Sequence, residues 1–191
     1  QSIQCLQNSG RTHDRAGFLK FSAGDARIVS MDIWGIDKEQ VITQFNQVRD
    51  SMDFWIDSKY RLPDSLMVKL TYMKTDSTGV LVETVENLSL AKMKKSGPSE
   101  EIKAKNDTSF KFKVQVSDET VQEEGFSLEW EWPMRSCVTD SVSLVEINPK
   151  GQKKQKGFTF MKDSTEIRRF CIKPDEKLTK GYEYTAIIPY G

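Results

Sequence analysis

A single histidine and three cysteines are all the imidazole and thiol groups this chain possesses. A His-based metal site or a Ser–His catalytic pair would have to use His13, which stands in a polar N-terminal stretch that reads as loose. Cys5, Cys137 and Cys171 follow no zinc or redox spacing. Cys137 and Cys171 could form a disulfide; two buried thiols is the preferred reading, because cysteine packs as a small apolar residue. Charge of one sign is also missing, with 28 Lys and Arg against 28 Asp and Glu. No overall field draws the chain toward nucleic acid, and no nucleic-acid partner is expected. No apolar run approaches about eighteen residues, so no membrane-spanning segment is expected. No signal peptide is visible, and the expectation is an export signal that lies upstream of Gln1 or was removed. No cofactor motif is present, and no cofactor is expected.

What the sequence does contain is alternation. Phe110, Phe112, Val114 and Val116 are separated by Lys111, Lys113 and Gln115, the pattern of a strand with one face in a core and one in water. Phe126, Leu128, Trp130 and Trp132 repeat it, and so do Tyr182, Tyr184, Ala186 and Ile188. Further strands are expected at 140–147, 158–160 and 166–172. Turn residues lie between them, at Asn148-Pro149-Lys150-Gly151, Pro174-Asp175 and Lys180-Gly181. In the first half, strands are expected at Leu19 and Phe21, at 28–33, at 52–56 and at 66–72, the last with the possibility of cover on both faces. Thr75-Asp76-Ser77-Thr78-Gly79 closes a hairpin onto a strand from Val80 to Val85, with 86–90 as its extension. Val41, Ile42, Phe45 and Val48 recur at helical spacing, but Val, Ile, Thr and Phe are indifferent helix formers, and a strand there is an equal reading.

At 92–107 the chain turns polar and breaker-rich, with Lys94-Lys95-Ser96-Gly97-Pro98-Ser99 in succession. This segment reads as a linker or edge loop. The expectation is an all-β chain of two tandem immunoglobulin-like β-sandwich domains, at 1–92 and 108–191 on either side of a connection at 93–107.

The stretch Asp53-Phe54-Trp55-Ile56-Asp57-Ser58, then 62–72, then Lys74-Thr75-Asp76-Ser77-Thr78-Gly79-Val80-Leu81-Val82 resembles exported Bacteroidetes proteins that carry tandem Ig-like domains and are often lipoproteins. Leu178, Tyr184, Ile188, Pro189 and Gly191 resemble the closing strand of S-layer-type bacterial Ig-like domains, with the Phe170-Cys171-Ile172 and Asp140-Ser141-Val142 strands in matching places. The resemblance spans about half the chain. It implies an exported protein of the cell envelope, at the outer-membrane surface or in the periplasm, and it implies no catalytic residues. Because Cys5 follows four other residues, a lipid anchor would lie upstream.

Each candidate site competes with a plainer reading. Asp50, Asp53, Asp57 and Asp64 could gather a calcium ion, but a solvated strand face is preferred. Glu119, Glu123 and Glu124 read as a loop. Lys150, Lys153, Lys154 and Lys156 could hold a polyanion, although lysines guarding an edge explain them at least as well. Trp130 and Trp132 are the candidate ligand-binding residues, since exposed rings stack on sugars. Period-two aromatics more often face inward, and Trp34 and Trp55 are read as core in the same way. The Asp-Ser-apolar triplets at Asp50, Asp64 and Asp140 resemble O-glycosylation acceptors in the same exported proteins; a turn or strand start is preferred. The expected role is a non-enzymatic binding or spacer module that meets a glycan or another envelope protein. A carbohydrate-binding module is the alternative.

Overall fold

In the computed structural model, residues 2–92, 109–115, 125–130, 132–134 and 138–189 are described, with 109–115 as backbone alone. The chain divides into two compact units, Gln1–Ser99 and Glu100–Gly191. Among the described residues the regular structure is all-β and sandwich-like, apart from 3₁₀ turns at Lys38–Gln40 and Thr139–Ser141.

The first unit runs through β1 (Leu6–His13), β2 (Ala16–Phe21), β3 (Ile28–Ile33), β4 (Val41–Phe45), β5 (Ser51–Ile56), β6 (Ser65–Thr75) and β7 (Leu81–Ala91). One sheet has the order β1-β2-β5-β4 and the other β3-β6-β7, with antiparallel neighbours throughout. Alternation decides which face is buried. On β6, Leu66, Val68, Leu70 and Tyr72 face inward and are at most 2 % exposed. They meet Leu19 and Phe21 of β2 and Met52, Phe54 and Ile56 of β5, which gives the two sheets a common interior. Each such side chain contributes roughly 1.5–3 kcal/mol through its removal from water. The other face of β6 is open at Met67 and Lys69 but buried at Thr71, so the strand is covered on both sides only toward its far end.

Two readings of the sequence are corrected here. The N-terminal stretch is not loose, because residues 6–13 form β1 and pair with β2 across two register shifts. It carries few apolar residues, so alternation could not announce it; backbone pairing and the buried Arg11 hold it instead. The segment around Val41 is a single 3₁₀ turn followed by β4, not an amphipathic helix. Its β-branched and aromatic residues obey their local preference for an extended chain.

The second unit contains β8 (Ser109–Gln115), β9 (Phe126–Glu129), β10 (Ser143–Ile147), β11 (Lys153–Lys156), β12 (Phe158–Lys162), β13 (Arg169–Pro174) and β14 (Glu183–Pro189). Its sheets have the orders β11-β10-β14-β8 and β12-β13-β9. Phe126, Leu128 and Ile172 from one sheet and Leu144, Tyr184, Ala186 and Ile188 from the other form its core. Strand β9 stops at Glu129, short of Trp132. The expected connection at 93–107, Val116, the Glu119, Glu123 and Glu124 group, and Cys137 lie outside the described residues. Cys171 is half-buried on β13, where burial pushes its thiol pKa up.

Three turns are built alike. Asn46, Asp76 and Asn148 each direct a side-chain oxygen at backbone N–H groups farther round the turn, with the residue three places on at positive φ: Arg49 at 56°, Gly79 at 83° and Gly151 at 78°. Each is a type I turn closed by a left-handed residue; at Asp76 and Asn148 it makes the usual three-residue hairpin connection, and at Asn46, whose N–H bonds the Ser51 carbonyl, the connection is one residue longer.

Candidate functional site

Strand topology collects three loops at one end of the first unit. Ala16 begins β2 opposite Trp55, and Val41 begins β4 opposite Ile56. The β1–β2 turn, the 34–40 connection and the 57–64 connection therefore emerge together. Gln40 ties two of them: its carbonyl accepts the Asp57 N–H at 2.7 Å, and its side-chain amide donates to the Asp57 carbonyl at 3.2 Å.

Each long loop presents one aromatic and anchors itself two residues later. After β3 the chain turns at Ile33, where the carbonyl accepts the Ile36 N–H at 3.1 Å and Gly35 takes φ +77°. A left-handed residue at that point is cheap only for glycine. Ile33 and Ile36 pack on the core, and Trp34, at the corner, is 86 % exposed. In the second loop, buried Ser58 accepts the Tyr60 N–H on its hydroxyl at 3.1 Å. Leu62 then packs on the same core, and Tyr60 is 81 % exposed. A tryptophan so open forgoes a large burial energy, which makes the pair more informative than scattered exposed valines.

Beneath the loops lies Arg11, 3 % exposed. Its guanidinium donates to the Pro63 carbonyl at 2.8 Å, to the Asp64 carbonyl at 3.2 Å and to the Asp14 carbonyl. It fixes the β1–β2 turn against the 57–64 loop through backbone acceptors. Burial lowers its pKa, and Asp14 and Asp64 act against that lowering; an arginine stays charged regardless. Lys92 donates to Asp14 at 2.8 Å across the same end. The arrangement is a polar clamp under the 57–64 loop at an end that displays two exposed rings, which suit stacking against an apolar face of a polar ligand.

The residues singled out from sequence are placed differently. Trp130 is half-buried against the core of the second unit, with its backbone and that of Arg168 linked at 2.9 Å. Trp132, at 38 % exposure, stands beyond the end of β9. Trp55 is core, at 6 %, whereas Trp34 is not. Asp50 and Asp57 flank opposite ends of β5, which sets them roughly 20 Å apart at the rise of an extended chain. They do not converge, and among the described residues no cluster of three His, Cys, Asp or Glu side chains gathers. Lys153 and Lys154 lie exposed on β11, an edge strand, while Lys156 turns inward between Glu146 and Glu176. Among the described residues no helix is long and apolar enough to cross a membrane.

The sequence did hold a signal for Trp34. Alternation continued past Ile33 points it outward, and the following glycine marks the turn that releases it. Tyr60 carried a weaker one, a lone ring between Lys59 and Arg61 in a turn-rich stretch. No protein-family model matches the chain, and no curated protein matches it in sequence.

Proposed function

We propose that this chain is a non-enzymatic binding module of the bacterial cell envelope, built from two Ig-like sandwiches, and that its ligand is a glycan. The observation that carries the reading is the pair Trp34 and Tyr60, 86 % and 81 % exposed, on a loop held by backbone bonds from Trp34 to Met67 and from Ile36 to Ile33 and on a loop that Arg11 clamps from below. Rings held rigidly lose little conformational freedom when a sugar stacks on them. The charges around them are mixed, with Arg15, Lys59 and Arg61 beside Asp14, Asp37 and Asp57, so a neutral saccharide fits better than a polyanion. Envelope location rests on the resemblance to exported Ig-like proteins, and the all-β, sandwich-like units are compatible with it.

The test is a glycan-array screen with the 191-residue chain, followed by titration of the best hit. Trp34→Ala and Tyr60→Ala should each weaken binding about tenfold or more, as removal of a stacking partner does. Trp132→Ala should leave it unchanged. Absence of any glycan ligand, or a ligand indifferent to both loop variants, removes the reading and leaves a spacer role.

A further inference from the structure

The first unit is closed along one flank and open along the other. Strands β1 and β7, the ends of its two sheets on one side, lie in contact. On the other side β3 and β4 stand apart, and between them runs a groove of about 330 Å³ lined by Ile28, Val29, Met31, Val41, Phe45 and Met52. Lys38 is the charge at this groove, and it is bound to Asp32 at 2.9 Å.

Edge strands present a row of backbone donors and acceptors, and proteins normally guard them. This chain does so elsewhere. Strand β1 is broken by two register shifts, β11 carries exposed lysines at 153 and 154, and β7 carries Glu83. Strand β4, Val41-Ile42-Thr43-Gln44-Phe45, has no charge, no proline and a regular register with β5. Its inner residues Val41, Thr43 and Phe45 face the groove.

We infer that β4 is a self-pairing edge, on which a second copy of this chain docks antiparallel about a two-fold axis at Thr43. That register sets Thr43 opposite the partner's Thr43 and Val41 opposite the partner's Phe45, both on the groove side. Ile42 falls opposite the partner's Gln44 on the other face. An isologous contact needs a surface that does not repel itself, and an uncharged strand meets that condition where β11 would not. The flanks add charge complementarity. The entry to β4 carries exposed Asp37 and Glu39, with Lys38 already spent on Asp32. The exit carries exposed Arg49, whose guanidinium lies 4.1 Å from the Phe45 ring centroid, and Asp50, which accepts from the Asn46 amide at 2.6 Å and keeps its charge. Antiparallel pairing brings the acidic entry of one copy beside Arg49 of the other, since the register that pairs the two Thr43 residues sets position 37 level with position 49.

Sedimentation equilibrium of the full chain from micromolar to millimolar concentration tests this. A concentration-dependent dimer is expected. Thr43→Lys sets two ammonium groups face to face at the axis and should raise the dimer Kd by about a hundredfold, whereas Thr43→Val should not raise it. Circular dichroism checks that the variants fold. If Thr43→Lys does not fold, Glu39→Lys, on an exposed turn, decides alone; it should raise Kd about tenfold at low salt. A monomer throughout the range overturns the inference, and so does a dimer indifferent to the folded variants. A chain that stays monomeric yet captures a separate extended peptide at β4 overturns it too, because the occupant is then foreign.

Discussion

The Tyr184 hydroxyl donates to Glu146 Oε2 at 2.7 Å while it accepts the Thr179 N–H at 2.7 Å. The ring is 1 % exposed, and Lys156 Nζ lies 3.8 Å from the same carboxylate oxygen. The first unit repeats this chemistry: Tyr72 donates to Glu86 at 2.8 Å, accepts the Leu6 N–H at 2.9 Å, and Lys74 closes on Glu86 at 2.8 Å. Burial raises the pKa of both phenols. In each unit a core tyrosine thus reaches the rim of its sandwich and ends in a carboxylate and a backbone amide.

Removal of either hydroxyl should expose how much these locks contribute. Tyr184→Phe strands the Glu146 oxygen and the Thr179 N–H together, at a cost of about 1–3 kcal/mol. For a unit of this size that is a drop of roughly 5–15 °C in its melting transition. Tyr72→Phe should cost a similar amount in the first unit. Hydrogen exchange localises each effect: faster exchange in β10 and β14 for the first variant, and in β6 and β7 for the second. Exchange that rises equally in both units would contradict the assignment.

Acid should unfold the protein through its turn and rim carboxylates. Hydrogen bonds from the Thr165 N–H and hydroxyl and the Glu166 N–H hold Asp163 below its ordinary value. The Thr78 hydroxyl, with the Val80 and Thr78 N–H groups, does the same for Asp76. At Glu86 burial pushes upward, but the hydrogen bonds from Lys74 and Tyr72 prevail and the pKa falls. A depressed folded pKa means that the unfolded chain takes up protons first. The stabilisation is complete above the ordinary carboxylate value of about 4 and is lost as pH falls through the depressed values. Urea midpoints should fall steadily from about pH 5 toward pH 2. Asp76→Ala should flatten that slope in part, and an unaltered slope would count against the turn carboxylates.

The shared hairpin turn offers a cleaner test of backbone strain. An added Cβ at Gly151 meets nothing within 4 Å, so Gly151→Ala isolates the cost of φ +78°. That cost is about 1–2 kcal/mol. At the equivalent place Arg49 already bears a φ of 56° and recovers something from the Phe45 ring and from the Ala26 carbonyl at 3.3 Å. Arg49→Gly should therefore change stability less than Gly151→Ala does. Chemical denaturation of the two variants compares them directly.

Alternation carried most of the strands. Leu66, Val68, Leu70 and Tyr72 are core because every second residue faces inward, and that much is written in the spacing. Strand β1 was illegible because its partners are backbone groups and a buried guanidinium, neither of which leaves an apolar pattern. Of the lysines that read as guarding an edge, Lys153 and Lys154 lie exposed on the edge strand β11 and Lys156 turns inward to Glu146 and Glu176; the strand itself has no apolar alternation to announce it. The aromatic site was half legible. Exposure of a ring depends on where a strand stops, and no period marks that β9 ends before Trp132 or that a turn at Gly35 releases Trp34.

Arg11 makes the most direct link between stability and the loop end. Its guanidinium holds the Pro63, Asp64 and Asp14 carbonyls, so its loss leaves three acceptors in a site closed to water. Arg11→Met keeps much of the volume but none of the donors, and should destabilise the first unit by about 2–4 kcal/mol. The more specific consequence is local. Lys59 and Arg61 lie exposed on the 57–64 loop, which Arg11 restrains from below. A loop so restrained resists a protease, because cleavage needs an extended segment that can leave the surface. Trypsin under native conditions should cut Arg11→Met after Lys59 and Arg61 several times faster than the parent chain. Tyr72→Phe, which is expected to lose comparable stability at the other end of β6, should not speed those two cuts to the same degree. If the two variants are cleaved there alike, global unfolding governs access, and Arg11 has no special hold on the loop that displays Tyr60.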